Sequence, residues 1–494
     1  MQEQKKEKIK LWLKNNYNLL FLGILIFGIL IRLYYFFITK NQPLWWDEAE
    51  YMSIAKNFAF DTSFRIGAGR TVLFPFLASL VYRIGFSEVA IRFFLVLIPS
   101  ILILFVTYYF VKEMYNEKIA LLTTLITSVC WIHLFYSMRL MTDELSFLFG
   151  LTAWFCFWKG YVSGKNNKLV YLSAFFIGLS FMTRPTGILY PVALILFLFI
   201  TEQFKFLKKP QLWLMLVVFF LTISPHMIWS YSQHGDVFAF RQGYGGPDTS
   251  QGSLWGTTKL MLSFIYSYPE LIFFIFFIIG LFSLFFLLLN IDRVLKNKFK
   301  QNDLFMLLTI IFTEFFFIYF LRAAENRWLM MMSFAIFGFS AKGILMIYNY
   351  TKKNFGKMIP LIFLILVLVL GSYYQLNHTN AIIHDRLTSY EQVKESGLWL
   401  NEKTDEGDII FSRSWSQHSY YSEREVLFFE GNQSLIEQIK EKQPKYYVVS
   451  VFEPHADEEI QLPAQNPSAF SAVQIYSIEN QPALIIYKID SSVF

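Results

Sequence analysis

The sequence predicts an all-α polytopic membrane protein of about eleven transmembrane helices, with a small extracytoplasmic α/β domain after the last of them. Composition is the first observation behind this: of 494 residues, 55% are hydrophobic, 19% aromatic and 16% charged, with a mean hydropathy of +0.41. That is too apolar for a chain that only buries one soluble core. The second is a series of apolar runs of spanning length. The third is the recurrence of lysine-rich turns at every second connection between those runs.

In chain order, the runs fall at 17–38, 88–111, 118–138, 143–160, 168–183, 186–201, 211–231, 269–290, 303–321, 328–348 and 358–375. Residues 1–14 are polar and lysine-rich, and the run after them is too long for a signal-peptide core. The first helix therefore reads as uncleaved and starting in the cytoplasm. Every second turn should then be cytoplasmic and basic. Lys112 and Lys118; Lys159, Lys165 and Lys168; Lys205, Lys208 and Lys209; Arg293, Lys296, Lys298 and Lys300; and Lys352, Lys353 and Lys357 occupy those turns. The expected localisation is the cell membrane, multi-pass. The turns on the other side carry Asp47, Glu48, Arg70, Arg139, Asp143, Arg184, His226, Arg322, Glu325 and Arg327. Each alone reads as a snorkelling interfacial charge; a whole set on one face points to a site, because burying charge near a membrane is costly.

Two outer loops stand out. The first, 39–87, holds Pro43-Leu44-Trp45-Trp46-Asp47-Glu48-Ala49-Glu50-Tyr51, then Tyr51, Ile54, Ala55 and Phe58 at helical spacing, and a second apolar-faced segment from Thr71 to Ile84. Both segments are too short to span and are expected at the interface. The second loop, 232–258, is rich in Gly, Ser and Gln and reads as a lid or binding loop. Residues 1–376 form the transmembrane domain on this reading, and 377–494 the soluble one. Strands are expected at 408–411, 446–452, 472–478 and 483–489, with a helix over 433–442. His418, Glu423 and Arg424 lie there without nucleotide-loop or metal spacing, so a docking or stabilising role is expected of this domain.

The formal charge of +6 is small for this length and argues against nucleic-acid binding. Cys130 and Cys156 both sit in apolar runs, where they act as small hydrophobes. There is no internal repeat. Taken alone, Asp47 also reads as the cap of a helix.

An outward cavity lined by carboxylates and arginines suits group transfer from a lipid-phosphate donor. Arginine grips phosphate oxygens through a planar fork, and a carboxylate can take the proton of an attacking hydroxyl or amine. A phosphate met by preorganised donors is a good leaving group. Five motifs make the match specific: Trp46-Asp47-Glu48-Ala49; Gly69-Arg70 with Leu73-Phe74-Pro75; Met138-Arg139-Leu140-Met141-Thr142-Asp143-Glu144; Thr183-Arg184-Pro185-Thr186-Gly187; and Glu325-Asn326-Arg327-Trp328-Leu329. In their order and sidedness they resemble the GT-C glycosyltransferases that use polyprenyl-phosphate sugars, of the protein mannosyltransferase and aminoarabinose transferase type.

The resemblance implies a GT-C-like fold and inverting transfer of a hexosyl or pentosyl group from undecaprenyl- or dolichyl-phosphate to a protein, lipid or glycan acceptor outside the cytoplasm. Carried over by motif, Asp47 would be the general base or an acceptor-orienting carboxylate, with Glu48 beside it, and Asp143 would position donor or acceptor. Arg184 and Arg327 would hold the lipid phosphate, with Arg70, Arg139 and His226 as further substrate-binding candidates. Arg70 departs from the lysine-containing or proline-rich pattern of many aminoarabinose transferases. His226 follows Pro225 and reads equally as an interfacial histidine at a helix kink. No cofactor is required. Asp47, Glu48 and Asp143 could coordinate a divalent cation if they converge, but cationic side chains are already available for the phosphate. The rival reading is a lipid or polysaccharide transporter or flippase, which should carry ionisable residues at mid-membrane and often a repeat.

Overall fold

The computed structural model describes residues 7, 10–62, 64–67, 69–243, 253–289, 301–323, 325–430 and 433–494. The basic turn at 293–300 and the Gly245-Gly246-Pro247 stretch of the second outer loop lie outside them. In chain order the helices are α1 (Asn16–Thr39), α2 (Trp46–Phe60), α3 (Leu73–Arg83), α4 (Glu88–Met114), α5 (Glu117–Val129), α6 (Trp131–Tyr136), α7 (Asp143–Val162), α8 (Lys168–Thr183), α9 (Pro185–Lys208) and α10 (Pro210–His234). Then come α11 (Leu254–Ser267), α12 (Glu270–Phe285), α13 (Asn302–Leu321), α14 (Asn326–Phe355), α15 (Met358–Asp385) and α16 (Glu391–Lys403). The C-terminal part runs β1 (Ile409–Ser412), α17 (Trp415–Ser422), β2 (Glu425–Leu427), α18 (Leu435–Lys442), β3 (Tyr446–Ser450), α19 (Asp457–Gln465), β4 (Phe470–Ile478) and β5 (Gln481–Ile489).

Two compact units result. The first comprises residues 1–40, 68–74 and 90–384; the second comprises 41–67, 75–89 and 385–494. Most of the first outer loop thus belongs with the C-terminal residues, and α15 continues unbroken past 376 to Asp385.

Among the described residues of the first unit, eight helices are long and apolar enough to cross a membrane, or nine with the bent pair α11 and α12 counted as one span. The count of eleven is not reached, for local reasons. The run at 118–138 is opened by Asn116, whose side chain accepts from the Lys118 and Ile119 amides, and it breaks at Cys130, whose backbone is extended. This leaves a helix of 13 residues and one of six. Helix α8 has only 16 residues. The α11–α12 pair bends by 99° around Tyr268-Pro269, since proline cannot donate into the preceding turn. Elsewhere the spans pack through small residues, as expected where lipid removes the hydrophobic drive between helices. A Cβ on Gly280 of α12 would stand 1.9 Å from the Phe339 carbonyl oxygen of α14, and one on Gly343 would stand 1.9 Å from that of Phe276. Glycine at both positions lets these two backbones touch.

The second unit is built on a five-stranded sheet in the order β2-β1-β3-β5-β4, parallel across its first three strands and antiparallel across the rest. Strand β2 is the one the sequence pattern did not show: three residues are too few to alternate visibly. Alternate side chains feed two cores. Ile410, Val426, Tyr446, Val448, Leu484 and Ile486 meet Val393 and Leu400 of α16. Phe411, Tyr447, Phe470 and Ile489 meet Ile439 of α18 and Leu462 of α19. Helices α2 and α3 of the first outer loop belong to this unit. Leu44 N donates to the Tyr421 hydroxyl at 2.8 Å, Lys56 pairs with Glu423 at 2.6 Å, and Tyr82 and Tyr420 share a hydrogen bond at 2.9 Å. Phe76 and Leu80 of α3, and Ile84 just after it, remain exposed.

Candidate active site

In the first unit, Asp143 and Glu144 open α7, where carboxylates meet the positive end of the helix dipole. Arg184 stands at the other end of a short connection, in extended backbone between the last turn of α8 and Pro185. The sharp return from α8 into α9 requires Gly187: a Cβ there would lie 2.5 Å from the Phe181 amide nitrogen. The turn is also tied from the segment around Arg70, since the Thr71 hydroxyl donates to the Thr183 carbonyl at 2.6 Å. Arg70 itself is half-buried one residue earlier.

Arg184 forms a buried ion pair with Asp143. Arg327 lies at the start of α14 and pairs through Nε with the more exposed Glu325 at 2.5 Å. Asn326 fixes its turn: its side-chain oxygen accepts from the Arg327 amide at 2.7 Å and from the Tyr136 hydroxyl at 3.1 Å, while Tyr268 donates to its carbonyl. The Arg327 guanidinium also touches the Met141 sulfur. Arg139, on the same connection as Met141, is buried.

These pieces meet in one place. Asp143, Ser146, Phe147, Arg184, Thr186, Tyr190, Arg327, Trp328, Met330 and Met331 line a cavity of about 20 Å³, room for roughly one water molecule. Two guanidiniums and one carboxylate from three separate stretches of sequence thus share a single polar space. His226 is not among the lining residues. It is buried on α10 against Phe181 and Trp229, and its ring nitrogens have no hydrogen-bond partner among the described residues.

Asp47 and Glu48 belong to the second unit, in the first turn of α2. The cap position of that helix is Trp45, and its amide donates to the Glu48 carboxylate at 2.7 Å. Glu48, fully buried, is therefore the acid that closes the helix start, whereas Asp47 is half-buried beside it. Trp46 stacks edge-on against Trp415 at 5.5 Å, and its carbonyl accepts from Ser416 at 3.3 Å.

His418 and Arg424, singled out in the sequence, serve the fold of this unit. His418 sits between the hydroxyls of Ser396 and Ser412, each 2.8 Å away, and burial drives its pKa down to about 3, so it stays neutral. Arg424 donates to the Thr404 carbonyl at 2.8 Å and the Asn401 carbonyl at 3.2 Å, closing the end of α16. Among the described residues, no three His, Cys, Asp or Glu side chains gather as a metal site.

Residues 70–229 match the profile of the dolichyl-phosphate-mannose-protein mannosyltransferase family. No curated protein matches the chain. Among solved structures, ArnT from Cupriavidus metallidurans in the apo state superposes with a TM-score of 0.67 at 12% identity, covering 96% of this chain and 99% of that one. The same protein bound to undecaprenyl phosphate gives 0.65 at 11% identity, over 94% and 98%. The archaeal oligosaccharyltransferase AglB from Archaeoglobus fulgidus, in complex with an inhibitory peptide and a dolichol-phosphate, gives 0.56 at 14% identity, over 96% and 74%. The fold is GT-C.

Within this GT-C fold, the profile match takes in Arg70, Arg139, Asp143, Arg184 and His226 and ends before Arg327. Sequence reasoning passed over His133 and Ser333, which bond to each other beside the cavity wall and to which Glu144 is joined. A lone histidine in an apolar run gives no spacing to read.

Proposed function

We propose that this membrane protein transfers a sugar from a polyprenyl-phosphate donor to an acceptor outside the cytoplasm. The observation that carries the reading is the convergence of Arg184 and Arg327, with Asp143, on one polar cavity. In the transfer, the acceptor nucleophile attacks the anomeric carbon, the carbon–oxygen bond to phosphate breaks, and polyprenyl phosphate leaves with the bonding electrons. Arg327, whose partner Glu325 is more exposed than the Asp143 that holds Arg184, is the guanidinium proposed to meet the phosphate first. Arg184 is held for the second contact by Asp143. Since the cavity is water-sized, binding a phosphate requires the side chains lining it to part. Asp47 is the proposed base that accepts the nucleophile's proton, on the strength of its motif, and Arg70 and Arg139 are proposed to support substrate binding. The bound undecaprenyl phosphate and dolichol-phosphate of the two neighbours support the donor class, and the inhibitory peptide of the second supports a protein as one acceptor. Residues 377–494 are proposed to lie on the acceptor side. The transporter reading gains nothing from these matches.

Purified protein incubated with a panel of undecaprenyl- and dolichyl-phosphate sugars should release the corresponding polyprenyl phosphate in the presence of acceptor. Donor flipped across a vesicle with its sugar still attached would replace this reading with transport.

A further inference from the structure

Behind the cavity wall lies a second polar cluster that touches none of the lining guanidiniums. His133, on α6, is fully buried. Its Nδ1 is 3.0 Å from a Glu144 carboxylate oxygen and its Nε2 is 3.0 Å from the Ser333 hydroxyl. Glu144 is the residue after Asp143 on α7. Ser333 lies on α14, in the turn after Arg327 and just past Met330 and Met331, which line the cavity. Phe147, another lining residue, rests against the imidazole at 5.2 Å. One side chain thus ties the helix that presents Asp143 to the helix that presents Arg327.

The rest of the surroundings hold that side chain still. The Trp131 amide donates to Gln375 at 2.9 Å and its indole to the Ser267 carbonyl at 2.7 Å, while Gln375 donates to the Tyr268 carbonyl at 2.7 Å. These bonds fix α6 to α15 and to the bend between α11 and α12. On the far side, Arg32 of α1 is fully buried, donates to the Gly28 and Ser128 carbonyls, and attracts the Glu144 carboxylate through space.

We infer that His133 is a positioning residue, a brace that sets the separation of Asp143 and Arg327 across the cavity; this rests on the sugar transfer proposed above. Between spanning helices, where lipid supplies no hydrophobic drive, hydrogen bonds and close packing fix the geometry. A neutral imidazole can donate to Glu144 while accepting from Ser333, so one tautomer satisfies both ends. Release of either end lets α7 and α14 drift apart. A displacement of about 1 Å in such a site costs up to about a hundredfold in rate.

The test uses the full chain in nanodiscs. His133→Phe keeps the ring and loses both bonds, and Ser333→Ala removes one end only. With release of polyprenyl phosphate as the assay, kcat should fall about tenfold in His133→Phe with donor KM little changed, and less in Ser333→Ala. The double variant should be no worse than His133→Phe alone, because the two residues act through one contact. Spin labels at the exposed residues Asn166, just past α7, and Lys353, in the last turn of α14, give a readout independent of turnover. Their distance distribution should widen in both variants. Should His133→Phe fail to insert, Ser333→Ala alone decides. An unchanged distance distribution with unchanged kcat overturns the brace. Additive losses that follow thermal stability also overturn it, in favour of ordinary packing. A wild-type protein that releases no polyprenyl phosphate from any donor sinks the transferase reading, and the label distances then still decide the brace.

Discussion

The buried charges around Asp143 and those around Glu459 look alike one at a time and differ as groups. Glu459 of α19 accepts from Arg413 through both carboxylate oxygens, and one of these also meets His455 at 3.1 Å. The cluster pins the end of β1 to α19 and to the loop after β3. Around Asp143 the same kinds of side chain form a pair, Asp143 with Arg184, while a second guanidinium, Arg327, faces the same cavity. The difference shows that burial of charge does not by itself mark a site. Two cations brought to one polar space from distant stretches of sequence are the better pointer to a candidate site, because proximity of like charges is costly.

Adjacent residues of α2 put that distinction to its hardest test, with the largest expected effect. Glu48 is closed onto the Trp45 amide and fully buried, whereas Asp47 beside it is half-buried. Asp47→Asn should leave insertion and donor binding intact and lower transfer by about a hundred- to ten-thousand-fold, the usual share of a general base. Glu48→Gln, which can still accept from the amide, should cost far less. Release of polyprenyl phosphate under saturating donor measures both, and near-normal turnover in Asp47→Asn would move the base elsewhere.

Arg184→Gln comes next and contrasts directly with Arg413→Gln. Loss of one preorganised donor to a developing anion costs about a hundred- to a thousandfold in turnover, so Arg184→Gln should lose transfer on that scale and bind polyprenyl phosphate more weakly. Arg413→Gln removes an ion pair of the second unit whose carboxylate is equally buried though its arginine is more exposed, and should lower its thermal stability while leaving turnover per folded molecule unchanged. Equal effects of the two on transfer would erase the distinction drawn between the regions.

Much of this arrangement is written in the sequence. The alternation of basic turns predicts a multi-pass bundle, and the five motifs single out Asp143, Arg184 and Arg327, which the fold brings to one cavity. What stays hidden depends on single backbone positions or on partners far away. The break at Cys130 splits an apolar run that reads as one span, because its cause is an extended backbone at one residue. The bend at Tyr268-Pro269 depends on contacts from Asn326 and Gln375. The choice between Asp47 and Glu48 as the capping acid turns on a shift of two residues in where α2 begins, with Trp45 rather than Asp47 at its cap position. His133 has no partner within hydrogen-bonding distance along the helix, so its role emerges only when α7 and α14 are folded around it.

The smallest effect expected concerns Glu453, in the loop after β3, and it sharpens the contrast from the side of the second unit. One of its carboxylate oxygens is buried without a hydrogen-bond partner among the described residues, and burial raises its pKa from an ordinary 4.5 to about 7. Glu459, a few residues on, is held below its ordinary value despite burial, by hydrogen bonds from Arg413 and His455. Two carboxylates in one neighbourhood are thus pushed apart by the presence or absence of cationic partners. The signs of their stability contributions are opposite. Glu459 stabilises the fold above pH 4.5 and loses that contribution as the pH falls through its lowered pKa. Between pH 4.5 and 7 the folded protein still holds the Glu453 proton that the unfolded chain has released, so stability falls as pH rises through that window. Glu453→Gln removes the titration without changing size, and should flatten the pH dependence by about 1 kcal/mol once partial solvent screening is allowed for. Hydrogen exchange of the β3 amides at pH 5 and pH 8, compared between wild type and variant, measures it. An equal slowing of exchange at both pH values would show that Glu453 remains ionised in the fold, and that its burial is tolerated without the proton.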